Sequence, residues 1–399
     1  MRSHPSGLTV QILPTALCFA LCCTPLWGQQ IAEPSAVGSS LELDVYGYIK
    51  LDAAYDTART VPGSFVKWVD LAAENDHDNA FNMTANQSRI GLKIGERVPS
   101  ETEEEPRIET SGRIEVDAFG GGAPNKAGLM LRHAYLRVLW TQSNLELLAG
   151  QTSDLISPLN PQTLNYSVAW WAGNIGYRRP QLRVTKRIDL AAARCLELGA
   201  ALAGTIGATH SEFTGNDAGA DSGLPSLQGR VGVRLPRGSA YGLSGHWGQE
   251  EYDLSAAGEE ATFDSWSINL DARQRLAPKL VLQAEAFTGV NLQTYLGGVG
   301  NGVELSRLQE IAANGGWFSF DLGPYESWSF HLGASVDDPR DEHLETGARS
   351  RNRSIFANGV WALTDRLEIG GEISEWVTEY KDIEEATAVR GQLSFIYRF

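Results

Sequence analysis

The chain has 399 residues, with 33 Lys and Arg against 49 Asp and Glu and a formal net charge of −16. So acidic a chain is a poor match for nucleic acid, because phosphate contacts need a basic surface. Beyond the N-terminus no uncharged apolar run approaches the roughly 18 residues of a membrane helix, which excludes a polytopic helical membrane protein. The composition still allows a transmembrane β-barrel, whose strands alternate apolar and polar residues.

The N-terminus predicts an export signal. Arg2 is the only charged residue before position 29, and the apolar stretch from Leu13 to Cys23 is too short to span a bilayer. We predict a signal peptide over 1–28, a short periplasmic segment over 29–43 and an outer-membrane β-barrel over 44–399. Three of the four cysteines leave with the signal, so Cys195 has no partner for an internal disulfide.

Period-two alternation dominates the rest of the chain. Between positions 44 and 56, Ile49 and Leu51 share one parity with other apolar or small residues, while Lys50 and Asp52 share the other. In a strand these parities are opposite faces. About sixteen segments show this pattern. They are 44–56, 86–96, 107–118, 129–140, 145–153, 181–189, 196–206, 227–235, 240–251, 263–275, 280–292, 315–322, 327–336, 353–362, 367–379 and 388–399.

Three further features favour an outer-membrane barrel over a soluble β-sandwich. Aromatic residues such as Tyr55 and Trp247 lie on the apolar face near segment ends, which is typical of an interfacial girdle. Short turns alternate with long connections along the chain. The last strand ends in Phe399, with Phe395 and Tyr397 on the same apolar face. We expect these three residues to be the membrane-insertion signal that the barrel-assembly machinery reads.

Several stretches resemble the DcaP-like outer-membrane porins. They are LELDVYGYIKLDAAYDTA, QSRIGLKIG, GRIEVDAFGG, LRHAYLRV, LLAGQTSDLISPLNPQTLNY and GNIGYRRPQLRVT. The resemblance extends over residues 41–190 at the level of sequence motifs. In the C-terminal half it is limited to the arrangement of strands and loops. It implies a trimeric, sixteen-stranded diffusion channel that prefers small anionic solutes such as dicarboxylates. Members often carry an N-terminal coiled coil, which we expect residues 29–43 to lack because they show no heptads.

The connection 154–180 is the third long loop on this plan, and in porins that loop folds into the lumen and narrows it. We expect the pair Trp170–Trp171 to anchor it. Arg178 and Arg179 are predicted to present their guanidinium groups to the pore, with Arg183 close by. Arginine forks suit carboxylate and phosphate because they bind two oxygens at once.

Other basic residues are predicted to face the lumen by their parity. They are Lys50, Arg89, Lys93, Arg113, Arg137, Arg183, Arg187, Arg230, Arg234 and Arg273. A ring of basic side chains gives an anion-selective constriction. The alternative for each is that it solvates a water-filled lumen and pairs with an inward acid such as Glu115 or Glu372. The negative net charge does not decide against anions, because selectivity follows the field at the constriction.

These features predict a passive porin for small anionic solutes in the outer membrane of a Gram-negative-type bacterium, acting as a homotrimer without cofactor or metal. Residues 74–79 (ENDHDN) offer oxygen ligands for a divalent cation but lack EF-hand spacing, so a solvated loop is favoured. Two alternatives stay open. One is a barrel enzyme of the protease or lipase type that uses His133, His246 or His331. The other is a secreted carbohydrate-binding β-protein, which the 11 Trp residues allow.

Overall fold

A computed structural model describes residues 40–71, 78–97, 108–120, 126–205, 217–255 and 258–399. The predicted signal peptide, most of the predicted periplasmic segment and positions 74–77 of the acidic loop lie outside the described residues. None of the helices within these ranges is long and apolar enough to cross a membrane.

Sixteen antiparallel strands form one closed barrel, the second of them in two segments. In chain order they are β1 Ser40–Asp56, β2 Ala80–Thr84 with Arg89–Arg97, β3 Ile108–Asp117, β4 Met130–Trp140, β5 Leu145–Ser153, β6 Arg178–Leu190, β7 Arg194–Ala203, β8 Ser226–Arg234, β9 Ala240–Asp253, β10 Glu260–Ala277, β11 Leu280–Val290, β12 Ala312–Tyr325, β13 Trp328–Pro339, β14 Arg349–Ala362, β15 Leu367–Tyr380 and β16 Ile383–Arg398. The sheet closes where Tyr48 of β1 lies opposite Arg398 of β16. The predicted all-β transmembrane-type barrel of sixteen strands is confirmed.

Two strand starts differ from the prediction in ways that matter for the site. β1 begins at Ser40 rather than at position 44, because Leu41 and Leu43 continue its outward apolar face and its pairing with β2. β6 begins at Arg178 rather than at position 181. Arg178 and Arg179 therefore belong to the end of a wall strand and not to the loop before it.

The barrel is apolar outside and polar inside. Large apolar side chains on the outward parity are exposed, among them Ile49, Leu136 and Leu270. The inward parity carries buried polar groups such as Asn269 and Ser394. This distribution is the reverse of that in a soluble β-sandwich and is typical of a barrel that faces lipid.

Aromatic side chains lie on the outer face near the short-turn end of the barrel. Trp328 and Trp361, on β13 and β14, stack with ring centroids 5.9 Å apart. Tyr397 and Phe399 are exposed at the same end. The predicted girdle therefore has the placement expected of residues at a membrane interface.

In the described part of the chain, three long connections fold into the lumen. L1 (residues 57–79, described over 57–71 and 78–79) contains a hairpin formed by Thr60–Pro62 and Val66–Val69. L3 (residues 154–177) follows β5, and L6 (residues 291–311) follows β11. The sequence predicted an inward fold for L3 alone.

The inward loops are held by small apolar clusters. From L1, Val66 and Val69 pack with Ala172 of L3 against Trp376 and Tyr380 of β15. A second cluster joins L3 to L6 through buried apolar side chains from both loops and from the wall. These contacts fill much of the lumen and confine any passage to the space that the loops leave open.

Candidate functional site

L3 crosses the lumen and is fixed to the far wall by buried polar contacts. The carboxylate of Glu372 on β15 accepts hydrogen bonds from Thr163 Oγ1 and the Leu164 N–H, at 2.7 and 2.6 Å. The Leu164 carbonyl accepts from Lys50 Nζ and Gln392 Nε2, at 2.9 and 3.0 Å. A buried loop needs such partners because unpaired polar backbone groups cost free energy. The third loop therefore folds inward as predicted.

Arg179 joins L3 to L6 and does not face a pore. Its side chain is 0% exposed, and its Nε lies 2.9 Å from Asp154 Oδ1. Its guanidinium lies 3.8 Å from the ring centroid of Tyr295, and Nη2 donates to the Thr294 carbonyl at 3.1 Å. The prediction that Arg179 presents its guanidinium to the pore is wrong, because L6 covers it.

Two cavities remain beside L3. The upper cavity, of about 330 Å³, lies near the long-loop ends of the strands and contains three arginines on its walls, Arg89, Arg132 and Arg178. The lower cavity, of about 320 Å³, lies toward the short-turn end, where Tyr48 and Arg398 line it.

The two cavities meet at a neutral polar border. Gln87 before the second segment of β2, and Gln162 and Thr163 of L3, line both cavities. Amide and hydroxyl groups can hydrogen-bond a passing solute or its water without binding it tightly. The side chains shared by the two cavities are thus polar and uncharged, with the three arginines on the upper side and Lys50 on the lower side.

Arg178 is the cation of the upper cavity that has no carboxylate partner among the described residues. Its guanidinium lies 4.7 Å from the ring centroid of Tyr177 and 5.6 Å from that of Trp170. Its Nη2 reaches the sulfur of Met130 at 3.3 Å, and its Nε is buried without an acceptor. The aromatic rings hold the charge in place, and the guanidinium bonds only one weak acceptor, the sulfur of Met130, among the described residues.

Arg132 supplies the second cation and is tied to two acids. Its Nε donates to Glu115 Oε1 at 2.9 Å and its Nη1 donates to Asp117 Oδ2 at 2.6 Å. Arg89 shares Glu115 at 3.4 Å, and Arg113 also bonds it. Three arginines thus share two carboxylates, so the cluster keeps an excess of one positive charge next to the upper cavity.

The phenol of Tyr166, on L3, covers this cluster from the lumen side. Its hydroxyl donates to Asp117 Oδ2 at 3.3 Å, and the ring lines the upper cavity. Burial and the Asp117 charge raise the pKa of Tyr166 to about 12. The group is therefore neutral at physiological pH and adds no negative charge to the cavity.

Two of the predicted filter residues lie elsewhere or are neutralised. Lys50 lines the lower cavity, with its Nζ 3.2 Å from Asp52 Oδ1 and 2.7 Å from Gln87 Oε1. Arg113 lines neither cavity, and its guanidinium forms an ion pair with Glu115. Both residues face inward as their parity predicted, but neither offers a free cation.

The remaining two predicted filter residues lie further along their strands. Arg137 on β4 pairs with Glu146 at 2.9 Å, toward the short-turn end. Arg183 on β6 donates its Nε to Gln181 Oε1 at 2.8 Å and forms no ion pair in the described part of the chain. The structure therefore brings together only Arg89 and Arg178 from the predicted set, with Arg183 on the same strand.

Parity missed Arg132 because β4 contains a bulge. Glu115 pairs with His133 and the next residue of β3 pairs with Leu131, so Arg132 is an extra residue in its strand. A bulge lets two neighbouring side chains face the same way. Both Arg132 and His133 therefore point inward, and no pattern of alternation could have shown this.

The histidines proposed for an enzyme lack the arrangement of a serine triad. His246 bonds Ser267 at 2.7 Å and Ser265 at 3.0 Å, but no carboxylate orients it. His331 contacts Asp321 at 2.9 Å without a serine. His133 contacts Thr152 Oγ1 at 3.0 Å and lies 3.8 Å from Glu115 Oε1, so its hydroxyl partner is a threonine. In the described ranges no histidine contacts both a serine hydroxyl and a carboxylate.

The barrel is similar to solved structures of outer-membrane channels. One is the outer membrane channel DcaP of Acinetobacter baumannii, with 18% identity and a TM-score of 0.70 over 90% of this chain and 97% of that one. The chain has the fold of an outer-membrane porin. The anion-selective porin from Comamonas acidovorans shares it at 12% identity and a TM-score of 0.57, over 90% and 100% of the two chains. OprB of Pseudomonas putida shares the fold at 9% identity and a TM-score of 0.55, over 90% of this chain and 94% of that one.

No protein-family model and no curated protein sequence matches this chain. The likeness therefore rests on the backbone and shows the porin fold. Residue roles follow from the contacts of this chain itself.

Proposed function

We propose that this protein is an outer-membrane porin through which small anionic solutes diffuse. The observation that carries the proposal is the upper cavity, where Arg89, Arg132 and Arg178 lie on a wall whose other residues, apart from one acid, are uncharged. The one acid on that lining, Asp154, is paired with the buried Arg179. The local field is therefore positive although the whole chain is negative.

The chemistry of the three arginines fits oxyanions. A guanidinium donates parallel hydrogen bonds to the two oxygens of a carboxylate, and among the described residues the guanidinium of Arg178 bonds only the sulfur of Met130, through Nη2. Dicarboxylates and similar metabolite-sized anions are the proposed solutes. The Comamonas acidovorans porin with the same fold is described as anion-selective, which agrees with this assignment.

The proposal is tested by the reversal potential of detergent-purified protein in a planar bilayer under a KCl gradient. We expect stepwise conductance with Cl⁻ preferred over K⁺. Replacing Arg178→Gln should reduce the permeability ratio by roughly twofold or more, because it removes the unpaired charge of the upper cavity. Arg340→Gln, at the long-loop end but outside both cavities, is the matched control. A preference for K⁺ in the unaltered protein would overturn anion selectivity.

We also propose a homotrimer in the outer membrane, inserted through the C-terminal strand. OmpT of Vibrio cholerae, which has a similar fold at 8% identity, was solved in a trimer form. Phe395, Tyr397 and Phe399 face outward on β16, where an insertion factor can reach them. Native mass spectrometry of the detergent-extracted protein tests the trimer, and a monomer alone would refute it. Phe399→Ser is expected to lower the amount of folded barrel recovered from the outer membrane.

A further inference from the structure

The loop ends hold a second group of cations, away from both lumen cavities. Lys67 and Trp68 come from the L1 hairpin, Trp171 from L3 and Arg349 from the start of β14. Lys67 Nζ lies 4.5 Å from the ring centroid of Trp171, and Arg349 Cζ lies 4.1 Å from that of Trp68. The two indoles meet edge to face with centroids 6.2 Å apart.

Both cations have unused hydrogen-bond donors. Within the described residues, Lys67 Nζ makes no hydrogen bond or ion pair. Arg349 uses only its Nε, which donates to the Val299 carbonyl at 2.7 Å. Both side chains are partly exposed. An ammonium group and four remaining guanidinium N–H groups are therefore free to meet a solute.

The two like charges are held close together against their repulsion. Burial lowers the pKa of Lys67, and the positive charge of Arg349 lowers it further. A bound anion would relieve that repulsion, whereas a cation would add to it. The carboxylate of Asp70 also acts on Arg349 and offsets one of the two positive charges. The group therefore keeps an excess of one positive charge, which favours a negative ligand.

The backbone around the pair is fixed. Asn352 Nδ2 donates to the carbonyls of Lys67 and Trp171, at 2.7 and 2.8 Å, which ties L1 to L3. Gly300 of L6 has φ +78°, and a Cβ there would lie 3.2 Å from Arg349 Nη2. Three inward loops and one wall strand therefore converge on this group, which makes it more than a surface pair of cations.

We propose that Lys67 and Arg349, held by Trp68 and Trp171, form an oxyanion-binding site in the vestibule at the long-loop end. This vestibule site binds the carboxylate or phosphate group of an incoming solute before the solute reaches Arg178. The proposal rests on the proposed porin function and adds a first binding station to it. Two binding sites in series raise the rate at which the channel captures solute, because a charged channel entrance concentrates solute of the opposite sign.

The test records solute-induced current interruptions in single channels of known orientation. Succinate and inorganic phosphate are added separately, on the long-loop side and then on the short-turn side. Lys67→Met and Arg349→Gln are expected to lower the rate of interruptions from the long-loop side by about tenfold, within the range of electrostatic steering. The rate from the short-turn side should stay unchanged. Arg349→Lys keeps the positive charge, so it should lower the rate of interruptions from the long-loop side less than Arg349→Gln does.

Arg340→Gln is the matched control, because Arg340 is an exposed cation at the same end that pairs with Glu342. It should leave both rates unchanged. An unchanged long-loop rate in Lys67→Met overturns the vestibule site, even if Arg178→Gln still alters ion selectivity. A wild-type channel that prefers K⁺ overturns the porin proposal instead. Should Arg349→Gln fail to fold, Lys67→Met carries the test alone.

Discussion

At the scale of single residues, the site depends on what surrounds each arginine. Arg178 and Arg179 are adjacent in sequence and have the same side chain. Arg178 is 5% exposed and lines the upper cavity between two aromatic rings. Arg179 has no exposed surface and lies against Asp154 under L6. The first can act on a solute, and the second stabilises the loop that shapes the pore.

This difference predicts opposite outcomes for two variants. Arg179→Met leaves the carboxylate of Asp154 buried without its cation, which should destabilise the L3–L6 contact by about 3–5 kcal/mol. The measurement is the temperature at which the folded barrel converts to the slower-migrating unfolded band on a gel. We expect this temperature to be lower for Arg179→Met than for the wild type. Arg178→Gln should leave that temperature nearly unchanged.

A second substitution separates lost pairing from lost packing. In Arg179→Met with Asp154→Asn, no buried charge is left unpaired, and the amide oxygen can still accept from Tyr177 N–H or Gln228 Nε2, so much of the lost stability should return. A double variant as unstable as Arg179→Met would contradict the assigned role of the ion pair.

At the scale of elements, the inward loops set the size of the passage. The L1 hairpin occupies the lumen beside β15, where the Tyr380 hydroxyl donates to the Val69 carbonyl at 2.7 Å and Val69 N–H donates to Thr378 at 2.9 Å. Replacing residues 60–69 with a short Gly-Ser linker should raise single-channel conductance, because it removes these groups from the lumen while leaving the wall strands intact. The control is a variant in which the connection between β9 and β10 is shortened. Equal conductance in the wild-type and hairpin-deleted channels would show that the hairpin does not border the ion path.

At the scale of the whole molecule, the outer face decides the environment. Exposed apolar side chains such as Ile49, Leu270 and Ile373 would aggregate in water. We therefore expect the protein to need detergent for extraction and to migrate faster on a gel unheated than boiled. Recovery in the soluble fraction without detergent would support the secreted alternative and contradict a membrane barrel.

Much of the fold was predictable because a strand repeats every two residues. Alternation identified sixteen strands and assigned Lys50, Arg89 and Arg113 to the lumen. It failed at Arg132, where a bulge adds a residue to β4. It also missed the inward L1 and L6 loops, since their contacts with the wall come from residues far away in sequence, such as Val69 and Tyr380.

The sequence by itself determined which residues lie on the outward face and about how many strands close the barrel, because alternation and turn chemistry are local. The inward third loop was expected from the resemblance to porins. The tertiary structure alone decided which cations stay free. Glu115 neutralises Arg113, Asp154 neutralises Arg179, and L6 hides the latter from solvent. Such pairing depends on distances between strands and loops that the chain brings together only when it folds.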